Sequence, residues 1–280
     1  MNLEPVWEAM VALVVTLAGV GLGCGLARLR GRWWLAGYLL PLSVVLLFAA
    51  ANFFPTLLSL PPFAWLIVGR NAFVACGFAA TMLLSAPLSR LPQRRQRVAV
   101  RALLVVIVGV TVAFFLAPLF NQRELAGLQT HVDSEGICRQ GTGYTCGPAA
   151  AVTALRRLGL PAEEGPLAIR TRTSSLGGTA PDVLAAALKR EYRRAGLVAE
   201  YRAFRSLEDL QTAGLTLAVV RFTTLADHFV TVLEVTDSEV VFGDPLSGLT
   251  RISREAFLER WRFTGVVVSR KPAGPGTAPE

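Results

Sequence analysis

The sequence is poor in the residues that several common chemistries need. It has four cysteines, Cys24, Cys76, Cys138 and Cys146, with no CxxC pair and no repeated spacing. Neither a zinc site nor a disulfide framework is therefore expected, and no cofactor or metal is called for. Histidine occurs twice, at His131 and His228, and acidic residues are missing from position 9 to position 123. With no acid or histidine deep in an apolar stretch, the first part of the chain offers no proton relay or ion pathway. No GxxxxGK[ST] phosphate loop occurs, so no ATPase is expected. The opening MNLEPVWEAM is acidic where a secretory leader would be basic, and the apolar run behind it is too long for a signal core. No cleavable signal peptide is expected.

What is present divides in two. Hydrophobic residues make up 52% of the chain, and the mean hydropathy is +0.47, too apolar for one soluble globule. The net charge of +8 is unevenly placed. Residues 1–120 hold 9 Arg against only Glu4 and Glu8, whereas residues 121–280 hold 19 Lys and Arg against 18 acids. Basicity belongs to the apolar half, which removes the main argument for nucleic-acid binding. Four apolar stretches, at about 6–27, 33–54, 71–89 and 102–120, are each long enough to cross about 30 Å of hydrocarbon. Residues 55–70, with Pro61 and Pro62, read as a connecting loop, and Trp7, Trp33, Trp34 and Trp65 fall near segment ends. Gly19, Gly21, Gly23 and Gly25 are expected to permit close helix packing. Arg28, Arg30 and Arg32 follow the first stretch, and Arg90, Arg94, Arg95, Arg97 and Arg101 follow the third. The positive-inside rule puts both loops in the cytoplasm. The expectation is a four-helix, multi-pass anchor in the cell membrane, with the lipid bilayer as partner and both termini outside the cytoplasm.

After a linker over 121–132, the composition of residues 133–270 is that of a soluble domain, followed by a disordered tail over 271–280. Helices are expected over 146–158, stopped by Gly159 and Pro161, over 181–195 with Thr179 as its cap, and over 207–212. Strand-like runs fall at 198–204, 216–222, 229–235, 239–242 and 265–269, with Thr236, Asp237 and Ser238 turning two of them into a hairpin. One early helix on a largely antiparallel sheet is an α+β domain.

The chemistry concentrates in GICRQGTGYTCGPAAAVTALRRLGL, which sets Cys146 in a glycine-flanked turn at the start of a helix. Free backbone N–H groups and the positive dipole end favour a thiolate there. A thiolate nucleophile needs an imidazole, and His228 opens the apolar strand HFVTVLEV. Asp244, sixteen residues on at the end of the next strand, would lie beside it in a hairpin and orient its ring. Gln140, six residues before Cys146, could donate to an oxyanion together with the Cys146 backbone N–H, one such donor being worth about 3–4 kcal/mol in the transition state. His131 lies in a polar stretch and reads as surface. Asp227 would point away from its neighbour His228 on a strand. Cys138 is a spectator thiol or, outside the cytoplasm, a disulfide partner for Cys146.

On these residues the chain resembles the bacteriocin-processing, double-glycine leader peptidases, which have a papain-like fold. The match lies in Gln140 separated by five residues from Cys146-Gly147, in His228-Phe229 on a strand, and in Asp244-Pro245 sixteen residues after the histidine. It covers about 133–270. The resemblance implies a Cys146–His228–Asp244 triad with Gln140 in the oxyanion hole, acting on a peptide or protein substrate through a thioester. It departs at Thr145, where well-known members carry an acid, and in following membrane helices instead of leading an ABC transporter. A separate transporter is the implied further partner. Two other functions use the same features: a peptide-binding module without cleavage, and an acyl transferase or amidase with the same triad. The behaviour of Cys146→Ala would separate the first of these from an enzyme.

Overall fold

The computed structural model describes residues 4–29, 34–53, 69–223 and 226–271. The chain divides into two compact units, Met1–Phe120 and Asn121–Glu280.

The first unit contains α1 (Glu4–Leu26), α2 (Ala36–Phe53), α3 (Gly69–Ser85) and α4 (Arg94–Phe120). Each apolar stretch is helical over most of its described residues, and among the described residues α1 and the helix starting at Arg94 are long and apolar enough by composition to cross a membrane. α2 has 18 residues and α3 has 17, with the polar pair Arg70-Asn71 in its first turn and turns following Ser85. The connection expected over 55–70 falls mostly outside the described residues, as do Arg30, Arg32, Trp33, Trp65 and positions 272–280 of the tail.

Close packing of α1 on α3 depends on two of the four glycines. A Cβ on Gly23 would lie 2.0 Å from Ser85 Oγ and 2.5 Å from the Met82 carbonyl, and one on Gly19 would lie 2.4 Å from Thr81 Oγ1. Gly21 and Gly25 meet nothing. The i, i+4 pair alone faces α3, as helix periodicity requires. Thr81 donates to the Thr16 carbonyl at 3.0 Å across that seam. An Arg70–Glu8 ion pair of 2.9 Å joins the starts of the two helices, and Arg90 donates to the Ala27 carbonyl at their ends. α1 and α3 therefore run parallel.

The second unit opens with α5 (Gln122–Ala126), inside the stretch expected as a linker, and the short pair β1 (His131–Val132) and β2 (Cys138–Arg139). Then come α6 (Cys146–Arg157), α7 (Glu164–Arg170), α8 (Pro181–Glu191), β3 (Leu197–Ala203), α9 (Leu207–Ala213), β4 (Thr216–Arg221), β5 (Asp227–Val235), β6 (Glu239–Asp244), β7 (Gly248–Ser253), α10 (Arg254–Leu258) and β8 (Trp261–Arg270). The sheet order is β3-β8-β4-β5-β6-β7 and every neighbour pair is antiparallel. The fold is mixed, helices on an antiparallel sheet. Both faces are covered, so the middles of β4 and β5 are mostly apolar on both sides, the buried Thr231 being satisfied by donating to the Ala150 carbonyl at 2.8 Å. Leu217, Val219 and Phe229 pack with Ala150, Leu155, Leu184 and Leu188 of α6 and α8. Ala218, Val220, Val230 and Val232 pack with Leu207, Leu210, Phe257 and Trp261 on the other side. Burying each large apolar side chain contributes about 1.5–3 kcal/mol.

Local signals explain most element ends. Gly159, at φ +70°, lets the chain leave α6 in a left-handed conformation. The expected helix over 181–195 ends at Glu191 and continues as a short 3-10 turn, Arg193–Ala195. Its expected cap is corrected: the N-cap is Ala180, without a side-chain bond. Thr179 instead bonds Thr173 Oγ1 at 2.6 Å, in a buried hydroxyl chain that continues to Thr171. β7, α7 and α10 lie outside the elements expected from periodicity.

Candidate functional site

Cys146 is the first residue of α6, half-buried, with a free thiol. Thr145 precedes it in a non-helical conformation, and Pro148 sits in the first turn, where its missing N–H has no intrahelical partner to lose. Gly147 is required by close approach: a Cβ there would lie 2.9 Å from Thr179 Cβ.

His228 is only 6% exposed, in the second position of β5. Its Nε2 lies 2.8 Å from Asp244 Oδ1, where the carboxylate accepts the ring N–H. Phe222 packs beside the imidazole with ring centroids 5.7 Å apart. Burial, the largest influence, pushes the ring down. Hydrogen bonding to Asp244 and to Cys146, with attraction to both, outweighs it and raises His228 to about 9. With Nε2 committed to Asp244, Nδ1 is the ring nitrogen left for Cys146.

Asp244 ends β6. Its Oδ1 also accepts the Leu246 N–H at 2.8 Å, and Ser247 Oγ donates to Oδ2 at 2.9 Å. Burial pushes this carboxyl up, but the bonds from His228, Leu246 and Ser247 hold it below the ordinary carboxylate value. The pairing depends on a β-bulge. At the hairpin turn Val235 pairs with Val240 and Glu234 with Val241; past the irregularity Val232 pairs with Phe242 and Thr231 with Gly243. The register after the extra residue, continued one step past Thr231 and Gly243, sets Asp244 level with Val230, on the face His228 shares and one diagonal step away.

Gln140 lies just after β2. Its backbone N–H donates to the Pro245 carbonyl at 3.1 Å, which ties it to the Asp244 turn. Its side-chain Nε2 donates to the Thr142 carbonyl at 2.7 Å, leaving the second amide hydrogen available. Thr145, wholly buried, receives bonds from Thr142 N–H and Oγ1 at 3.2 and 3.1 Å. The structure thus gathers the four sequence-derived candidates around the start of α6. It adds Thr145, Ser247, Pro245 and Glu164 as their supports. Only the Asp-Pro-x-Ser turn at 244–247 carried a signal for one of these, Ser247.

Other candidates fall away from this cluster. His131 is exposed on β1, and Asp227 accepts from Arg262 at 2.8 Å. Cys138 is fully buried with a free thiol, which burial first, then Glu164, pushes up to about 12. A thiol so held is not a nucleophile near neutral pH. Among the described residues no group of three or more His, Cys, Asp or Glu side chains is placed to hold a metal.

Comparison with known proteins agrees on where this unit lies. Residues 134–273 match the model of the peptidase C39 family. An uncharacterized protein of Methanothermobacter marburgensis is 32% identical over 148 residues, which cover 53% of this chain and 98% of that protein. Another, from Methanothermobacter thermautotrophicus, is 29% identical over 147 residues, 52% of this chain and 97% of its own length. Among solved structures, the chain is similar to a double-glycine motif protease from an AMS/PCAT transporter in complex with the leader peptide, at 18% identity and TM-score 0.42, covering 51% of this chain and 94% of that one. It is also similar to the peptidase domain of Streptococcus ComA, a bifunctional ABC transporter of a quorum-sensing pathway, at 19% identity and TM-score 0.41, covering 48% and 96%.

Proposed function

Because the chain belongs to the peptidase C39 family and is a cysteine peptidase, we propose that it is membrane-anchored and works through Cys146, His228, Asp244 and Gln140. The observation that carries this reading is a buried imidazole that lies 2.8 Å from the Asp244 carboxylate and hydrogen-bonds the Cys146 thiol, contacts that raise it to about 9. At neutral pH such a ring is an imidazolium, placed to exchange its proton with the Cys146 sulfur and with a leaving amine.

The steps follow from that state. The Cys146 thiolate attacks the scissile carbonyl carbon, and the carbonyl π pair moves to oxygen. The Cys146 N–H and the free hydrogen of the Gln140 amide receive that oxyanion. The C–N bond breaks as His228 gives its proton to the departing amine, leaving a thioester. Water then attacks, His228 takes its proton, and the C–S bond breaks to restore the thiolate. Asp244 keeps Nε2 engaged throughout, so the ring cannot turn away from the sulfur.

The substrate proposed is a leader-type peptide, and a separate transporter is its proposed partner. Anchoring is supported by the apolar surface of α1 and α4, where Trp7, Val14 and Val105 are 65%, 66% and 72% exposed. A surface of that kind wants lipid or protein against it. The arginine distribution supports a peptidase domain outside the cytoplasm.

Incubating the detergent-solubilised chain with a thiol-directed peptidyl epoxide and mapping the adduct by mass spectrometry tests the reading. Labelling is expected on Cys146, absent from Cys138 and lost in His228→Ala. A folded protein that shows no adduct at Cys146 would sink it.

A further inference from the structure

Gln140 can serve an oxyanion only if the turn that carries it stays put. Three backbone N–H groups of that turn are held from three places: the β6–β7 turn, the N-cap of α6 and the start of α7. Gln140 N–H goes to the Pro245 carbonyl at 3.1 Å, Thr142 N–H to Thr145 Oγ1 at 3.2 Å, and Gly141 N–H to Glu164 Oε1 at 2.8 Å. The third is the unusual one. Glu164, at the start of α7, has no solvent exposure, and its own N–H donates to Thr130 Oγ1 at 2.8 Å. Its second carboxyl oxygen is buried and has no hydrogen-bond partner among the described residues. A Cβ on Gly141 would lie 3.4 and 3.7 Å from the two carboxyl oxygens, so the group sits directly against the turn. Burying a carboxyl group to hold one backbone N–H costs stability. Packing alone would be better served by an apolar side chain.

We infer that Glu164 is a positioning residue for the oxyanion site: by holding Gly141 N–H it fixes the turn from which Gln140 presents its amide. This rests on the peptidase reading above and assigns Glu164 no contact with substrate.

Two probes of the full chain in detergent separate positioning from a merely structural role. A peptidyl-Gly-Gly aldehyde adds reversibly to Cys146: the S–C bond forms, the carbonyl π bond breaks, and the proton from the thiolate–imidazolium pair goes to the new oxygen, which occupies the oxyanion site. Iodoacetamide alkylates the same thiolate, releasing iodide, and forms no oxyanion. Glu164→Ala is expected to weaken aldehyde binding about tenfold or more while the alkylation rate stays within about twofold. Glu164→Gln, whose amide oxygen can still accept the Gly141 N–H, is expected to bind within about threefold of the parent. Gln140→Ala should lose affinity on the same scale, and adding Glu164→Ala to it should cost no more, because the two act as one unit.

Unchanged aldehyde affinity in Glu164→Ala overturns the inference. So do losses that multiply in the double variant, or a Glu164→Gln as impaired as Glu164→Ala. If Glu164→Ala does not fold, Glu164→Leu, which fills the space without accepting the Gly141 N–H, takes its place and is expected to show the same loss of aldehyde affinity, an unchanged affinity again overturning the inference. Failure of the peptidase reading looks different: the parent protein would alkylate yet form no aldehyde adduct, and the role of Glu164 would fall with it.

Discussion

His228 sets the pH response of this protein. Its folded value of about 9 lies above the 6.5 of a free imidazole. Protons therefore bind the folded chain more tightly than the unfolded one at this group. The stability it contributes is complete below pH 6.5 and is lost as pH rises through about 9. Thermal unfolding followed from pH 6 to pH 10 should show a midpoint that falls across that window, by an amount reduced in Cys146→Ala. The same proton is the one given to the leaving amine, so kcat/KM should decline on the alkaline side near pH 9. Asp244→Asn removes a cause of the raised value. It should move that limb to lower pH and cut kcat/KM about 10²-fold or more. An alkaline limb that stays in place in Asp244→Asn would show that the carboxylate does not govern the ring.

At the scale of elements, the site depends on segments that look unimportant in sequence. α5 lies where composition suggests a loose linker, yet Leu125 is fully buried and Tyr144, two residues before Cys146, donates to Glu124 at 2.5 Å. α5 is docked on α7 through Gly165, where a Cβ would lie 2.3 Å from the Leu125 carbonyl oxygen. That neighbour is backbone and cannot swing aside. Gly165→Ala should therefore lower stability by about 1–3 kcal/mol, measured as a shift in the unfolding midpoint. Because α7 also starts at Glu164, the variant should lose peptidase activity out of proportion to the fraction unfolded at the assay temperature. A Gly165→Ala protein as stable and active as the parent would refute the docking.

For the whole molecule, charge and apolarity separate the two units more sharply than any motif does. No acid occurs between Glu8 and Glu124, and all nine basic residues of the first 120 are arginines. If the arginine-rich loops stay in the cytoplasm, the unit holding Cys146 lies on the opposite side. A membrane-impermeant maleimide applied to intact cells should label Cys146 without permeabilisation, with Cys146→Ala as control. Labelling that appears only after the membrane is opened would reverse the orientation and place the peptidase site in the cytoplasm.

Cys146, His228 and Asp244 each carry a local mark in the chain, namely a glycine-flanked helix start, an imidazole at a strand end and an Asp-Pro turn, whereas Gln140 was marked only by its place six residues before Cys146. Five of the six strands of the central sheet were legible as apolar, strand-like runs, whereas β7, GLTRIS, carries too few apolar residues to stand out. Glu164 left no such mark, because a lone glutamate at a helix start looks like any solvated acid until its burial is seen. The spacing of sixteen residues brought Asp244 to the end of the sheet that holds His228, yet distance along a hairpin does not choose a face. Without the extra residue in β5 the hairpin register would carry Asp244 to Thr231, and its carboxylate would point to the opposite side of the sheet. Composition and local pattern therefore determined which residues meet, and only the bulge, which answers to tertiary packing on both faces, decided that they meet on the same side.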